Sequence, residues 1–271
     1  MVENLAIVFT MFDGYEDLWD DAIKYIKKYW VNHPPIYVFT NEIEKKWDDV
    51  ICIPTGKDAE WSRKAYKACE EIKEEYFILL LEDFYAGSAI NNDEVQELLE
   101  FMKNNRIKYC KLCDNNRIVR KHKKKYRNSK YEVMYADEDY GISLQPAIWE
   151  KRYLLNTLGE ENYNAWIFEL KQVKKSRCSK HEVLDYALED TRNLLNIKHG
   201  ALQGEMLPLT VKYFQEINDP LSTNRKIMGR REYSKYLFKQ FGKDVVPKPA
   251  VKYVKKIAKK FGFNFVEEKW I

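Results

Sequence analysis

Between residues 5 and 81, short unbroken apolar runs take turns with stretches whose apolar residues recur every three or four positions. Leu5–Phe9 (LAIVF), Ile36–Phe39 (IYVF) and Tyr76–Leu81 (YFILLL) are continuous rather than alternating. Such runs are strands covered on both faces. Val50–Ile53 is a further short strand, closed by Pro54 and Gly56. Leu18, Trp19, Ala22, Ile23, Ile26 and Trp30 keep a helical period, which Pro34-Pro35 stops. Trp61–Tyr76 returns to that period through Ala65, Ala68, Cys69 and Ile72. This β-α-β-α-β succession predicts an α/β fold with a mostly parallel central sheet flanked by helices. Ligands of such sheets bind at the carboxyl ends of the strands. Thr10–Asp13, Thr40-Asn41 and Glu82-Asp83 all fall there, and three strands should bring them into one crevice.

Further on, residues 93–104 read as an amphipathic helix and Lys108–Leu112 as a strand. Ile142–Leu144 reads as a strand leading into Gln145-Pro146, with Ala147–Leu158 and Asn164–Lys174 helical. From Leu207 the chain changes character, broken by Pro208, Pro220, Pro247 and Pro249 and rich in Lys, Arg and Tyr. The expected division is a catalytic domain over 1–206 and a helical, basic extension over 207–271. A chain of 271 residues carrying 7 Trp, 19 Tyr and 13 Phe has ample material for a core and is not disordered. No apolar run reaches the ~20 residues of a membrane span. MVENLAIVFTMF has neither a basic leader nor a small-residue cleavage site, so a cytoplasmic location is expected. The five cysteines accord with reduced thiols, and the lone Cys110-x-x-Cys113 lacks a second ligand pair for zinc.

The net charge of +4 is unevenly spread. Residues 117–130 carry +8 and residues 243–262 carry +6, leaving −10 for the rest. Two basic patches on an acidic body point to an anionic partner: phosphate groups, nucleic acid or an acidic membrane surface. Within 248–262, Val251, Val254, Ile257, Ala258 and Phe261 form an apolar stripe flanked by lysines. A basic amphipathic helix of this kind suits peripheral contact with an anionic bilayer, or docking on its own domain. The 117–130 run raises nucleic-acid binding as the alternative class, but no helix-turn-helix, zinc-finger or RNP pattern accompanies it.

Glu82-Asp83 is the sharpest local signal, because two carboxylates at the end of an apolar strand are costly unless a cation or hydrogen-bond donors compensate. Hard oxygen ligands suit Mg²⁺ or Mn²⁺ carrying a diphosphate; one acid capping a turn while the other is solvated is the plainer reading. Asp17 serves equally as a helix cap, with Tyr15 and Asp13 placed for a nucleotide base or ribose. Glu169, beside Trp166 and Phe168, is either a surface acid or a general base. His199 lies in a Gly-punctuated loop and is a phosphate or metal partner or a structural histidine. No G-x-G-x-x-G, Walker A loop or G-x-S-x-G elbow is present, which argues against a dinucleotide dehydrogenase, a P-loop NTPase and an α/β-hydrolase. A nucleotidyltransferase is disfavoured because no Gly-rich, Lys/Arg-bearing triphosphate loop follows the first strand.

The succession MFDGYEDLWDDAIKYIKKYW–PPIYVFTNE, EWSRKAYKACEEI, YFILLLEDFY, SLQPAIWEKRYLLNTLGEEN and AWIFE resembles bacterial glycosyltransferases of the GT-A fold, associated with capsule, exopolysaccharide or lipopolysaccharide assembly. The resemblance covers roughly residues 5–206. It implies a GT-A-like sheet and a sugar-nucleotide donor, most simply a UDP-sugar, held by Thr10, Phe12, Asp13 and Tyr15. Asn41, Trp61, Glu82, Gln145 and His199 are the further donor-binding candidates. The family's Asp-x-Asp motif corresponds to Leu81-Glu82-Asp83-Phe84, which makes Asp83 the metal-ligand candidate for Mn²⁺ or Mg²⁺. Glu169 matches the family's catalytic base, and Ser143–Pro146 with Trp149 matches the segment lining donor sugar and acceptor. The resemblance implies a glycan or lipid-linked acceptor at the inner face of the cytoplasmic membrane, and no nucleic-acid partner.

Overall fold

Alternating side chains of the first strand, β1 (Leu5–Thr10), enter two separate cores. Leu5, Ile7 and Phe9 pack on one face, Ala6 and Val8 on the other, and all five are buried. The computed structural model describes residues 2–113 and 123–245, with side chains as far as residue 238 in its last helix. In chain order a 3-10 turn at Asp13–Tyr15 leads into α1 (Glu16–Tyr29), then β2 (Ile36–Thr40), β3 (Val50–Pro54), α2 (Trp61–Glu71) and β4 (Tyr76–Leu81). There follow β5 (Phe84–Ala86), α3 (Asn92–Asn104), β6 (Tyr109–Lys111), β7 (Glu132–Tyr135), β8 (Ala147–Glu150) and α4 (Lys151–Leu158). The rest comprises α5 (Ala165–Cys178), β9 (Val183–Glu189), the short strands β10 (Ile197–His199), β11 (Ala201–Leu202) and β12 (Glu205–Met206), α6 (Pro208–Glu216) and α7 (Arg230–Val245).

Eight strands form one sheet in the order β3-β2-β1-β4-β8-β6-β9-β7. β3, β2, β1 and β4 run parallel, as the apolar runs predict. β8 lies antiparallel between β4 and β6, and β7 is antiparallel to β9 at the far edge. Helices α1, α3 and α6 cover one face through Leu18, Val95 and Phe214, while α2, α4 and α5 cover the other through Ala65, Leu154 and Phe168. This is the α/β, mostly parallel architecture expected of a GT-A-like chain.

Two expectations are corrected. Ile142–Leu144 is not a strand; the strand is Ala147–Glu150, which was read as the start of a helix. Ala147, Ile148 and Trp149 are buried, because the segment fills the gap between β4 and β6. The helix begins only at Lys151, where the Glu150 carboxylate accepts the Arg152 and Tyr153 N–H groups. Residues 207–228 pack against the core that also holds α1. Phe214 is fully buried with its ring 4.1 Å from that of Tyr25 on α1; the Met206 N–H donates to the Lys226 carbonyl, and the Met228 N–H donates to that of Met206. The amphipathic stretch 248–262 and residues 117–122 of the basic run lie outside the described residues.

Candidate active site at the carboxyl ends of the strands

Register places the strand ends side by side. Thr10 pairs with Leu81 of β4 and with Phe39 of β2, and Thr40 pairs with Pro54 of β3. The Leu79–Ala147 pairing carries Gln145 to the position opposite Leu81. Thr10, Asn41, Glu82, Asp83 and Gln145 therefore share one edge, as the parallel order requires.

Asp13 ties two strand ends together. Its carboxylate accepts the N–H groups of Asn41 at 2.9 Å, Glu42 at 2.8 Å and Ile43 at 3.1 Å. It shapes the crevice by locking the loop after β1 to the end of β2. Asn41 is buried, donating to the Ala59 carbonyl at 2.7 Å and accepting from Lys64 Nζ at 2.6 Å. Asp17 does not cap α1; it receives a forked hydrogen bond from Arg225 and one from Thr223.

Past β1, Phe12 is 53% exposed. It stands edge-on to Tyr15 at 5.9 Å. Each ring has a cation near it: Lys64 Nζ lies 5.6 Å from the Phe12 ring centre, and the Arg225 guanidinium lies 4.2 Å from that of Tyr15. Both were missed in the sequence. Lys64 had a signal, since it falls on the inward stripe of α2 beside Trp61, Ala65 and Ala68 and is 3% exposed. Arg225 had none, since its partners Asp17 and the Gly14 carbonyl lie more than 200 positions away.

Glu82 and Asp83 sit at the end of β4. Desolvation, reinforced by the Asp83 charge, raises the Glu82 carboxyl to about 8, against the pull of Lys64 and Arg225. Desolvation raises Asp83 to about 6, and the Ala201 N–H bound to its Oδ2 at 3.2 Å works the other way. The Asp83 carbonyl accepts the Gly200 N–H, so this residue also anchors the turn after β10. Among the described residues no three His, Cys, Asp or Glu side chains come together as a metal cage. Burial lowers the His199 imidazole to about 4, so the ring is neutral, edge-on to Phe84 at 4.7 Å. The Thr10 hydroxyl is buried at the strand end with no hydrogen-bond partner among the described residues.

Glu169 reaches back from α5 and accepts the Leu144 N–H at 2.7 Å, which sets its carboxylate beside Gln145. Asn164 caps that helix by accepting the Ile167 N–H. Trp61 does not join the crevice; it is buried in the α2 face with its ring 4.9 Å from Phe168. The described lysines of the basic run pair with acids of the same chain, Lys123 largely buried and Lys125 and Lys130 at the surface. Lys123 pairs with Glu138 and Glu189, Lys125 with Glu132, and Lys130 with Glu97.

No protein-family model matches the chain. No curated protein matches it either. Solved structures do resemble it. The UDP complex of residues 1–349 of S. aureus TarS aligns at a TM-score of 0.46 and 9% identity, covering 98% of this chain and 76% of that one. A further structure of residues 1–349 of S. aureus TarS gives 0.43 and 8%, covering 69% and 58%. A cytidylyltransferase from Leptospira borgpetersenii gives 0.42 and 8%, covering 83% and 99%. The chain thus spans between 58% and 76% of the two TarS structures it matches. With identities of 8–9%, the chemistry rests on this chain's own residues.

Proposed function

We propose that this protein is a glycosyltransferase that moves a sugar from a nucleotide-sugar to a hydroxyl of a glycan or lipid-linked glycan. One observation carries the reading: an aromatic pair, exposed Phe12 and half-buried Tyr15, each ring with a cation near it, at the carboxyl edge of a parallel sheet. An aromatic platform suits a nucleobase, and fixed cations suit the phosphates next to it. The acceptor hydroxyl attacks the anomeric carbon, the bond from that carbon to the diphosphate oxygen breaks, and the proton passes to a base. Glu169 is the proposed base, oriented by the Leu144 N–H. Thr10, Asn41, Gln145 and His199 line the donor side, with Asp13 holding the loop.

No helix among the described residues is long and apolar enough to cross a membrane. The 248–262 stretch is proposed as the surface contact, through lysines that attract anionic headgroups. The function is tested by melting the protein with UDP-, GDP-, CMP- and TDP-sugars, since a ligand of the folded state raises the melting temperature. A nucleotide-sugar should stabilise it and be turned over to free nucleotide; no shift with any of the four sinks the reading.

A further inference from the structure

Lys64 is a buried ammonium whose one hydrogen-bond partner among the described residues is the neutral Asn41 Oδ1. No carboxylate forms an ion pair with it among the described residues, and burial lowers its proton affinity against the pull of Glu82, Asp13 and Glu60. A buried ammonium held by a neutral amide, with its acids beyond ion-pair distance, is poised to meet an anion. Arg225 lies over the Tyr15 ring of the same loop, held by the Asp17 carboxylate and the Gly14 carbonyl. Both cations attract Glu82.

A divalent ion here would have two consecutive acids to draw on, and both are already engaged. An Asp83 oxygen accepts the Ala201 N–H, and Glu82 is attracted by Lys64 and Arg225. A metal there would compete for Glu82 with two fixed cations and be repelled by both. Accepting the nucleotide reading above, we infer that Lys64 and Arg225, rather than a divalent cation, hold the diphosphate of the bound nucleotide. The charge that grows on the leaving nucleoside diphosphate is then met by a buried ammonium and a guanidinium that need no reorganisation.

The test is calorimetric titration of the full chain with UDP, GDP, CDP and TDP and with inorganic pyrophosphate, each in EDTA and in Mn²⁺. The affinity for the preferred nucleoside diphosphate should agree in the two buffers to within about twofold. Lys64→Gln, which keeps a donor for Asn41, should weaken it by about tenfold or more, while the matching nucleoside binds as to the parent. Lys64→Arg should recover part of the loss, and Arg225→Gln should also weaken the diphosphate more than the nucleoside. Binding lost in EDTA and restored by Mn²⁺ would overturn the inference and leave the nucleotide reading standing. So would parental affinity in both Gln variants. If no nucleoside diphosphate binds in either buffer, the nucleotide reading falls; Lys64-dependent pyrophosphate binding in EDTA then still supports an anion site, and its absence removes that too.

Discussion

Glu169→Gln keeps an oxygen for the Leu144 N–H and removes the site for a proton. Turnover should fall by about 10²–10⁴-fold with nucleotide affinity nearly unchanged, since positioned bases contribute on that scale. Steady-state rates set beside equilibrium titration check it, and normal turnover would remove Glu169 from the mechanism. Glu82 makes a second test, through pH. Its carboxyl is raised to about 8 in the fold by desolvation and the neighbouring Asp83 charge. The folded state therefore holds a proton that the unfolded chain has released once the pH passes the ordinary glutamate range. Stability from this group falls as pH rises from about 4.5 towards 8 and levels off above that. Glu82→Gln should lose this decline, with a gain of roughly 2 kcal/mol at pH 8 after allowing for partial solvent access. Parallel denaturant melts at pH 5 and pH 8 decide it; an equal pH slope in parent and variant sinks it.

At the level of elements, β1, β2 and β4 were legible because they are buried on both faces and so read as unbroken apolar runs. β8 was not. Ala147–Glu150 is too short for its period to separate strand from helix, and only the gap between β4 and β6 decides it. The site was legible where it sits on strand ends, as with Thr10, Asn41 and Glu82-Asp83. It was illegible where one element lends a side chain to another, as with Arg225 on the β1 loop or Asp13 on the end of β2. Asp13→Ala removes the acceptor for three backbone N–H groups at once. The cost should be about 2–3 kcal/mol, seen as a lower denaturant midpoint. Gly200 is fixed by close approach rather than by torsion, because a Cβ there would meet the Tyr85 ring at 2.5 Å. Gly200→Ala should cost about 1–3 kcal/mol and disturb the turn that Asp83 anchors.

The whole molecule does not end where its composition changes. Asp219 pairs with Lys24 and Lys28 of α1, Ser222 donates to Asp21, and Phe214 fills the space between Tyr25 and Tyr85. A chain stopped after Met206 should therefore lose cooperative melting as well as Arg225, whereas one stopped after Val245 should keep its melting transition; calorimetry of the two separates these outcomes. A last consequence belongs to synthesis. β4 is a six-residue strand without a charge or a proline, and its outer partner β8 is more than sixty residues later in the chain. Until Ala147–Glu150 has left the ribosome, YFILLL presents a bare edge of unpaired N–H and C=O groups, the template that foreign strands add to. The protein's solubility in the cell is thus set by how long that edge waits, and a pause in translation between residues 81 and 147 is the moment at which a chaperone has most to cover.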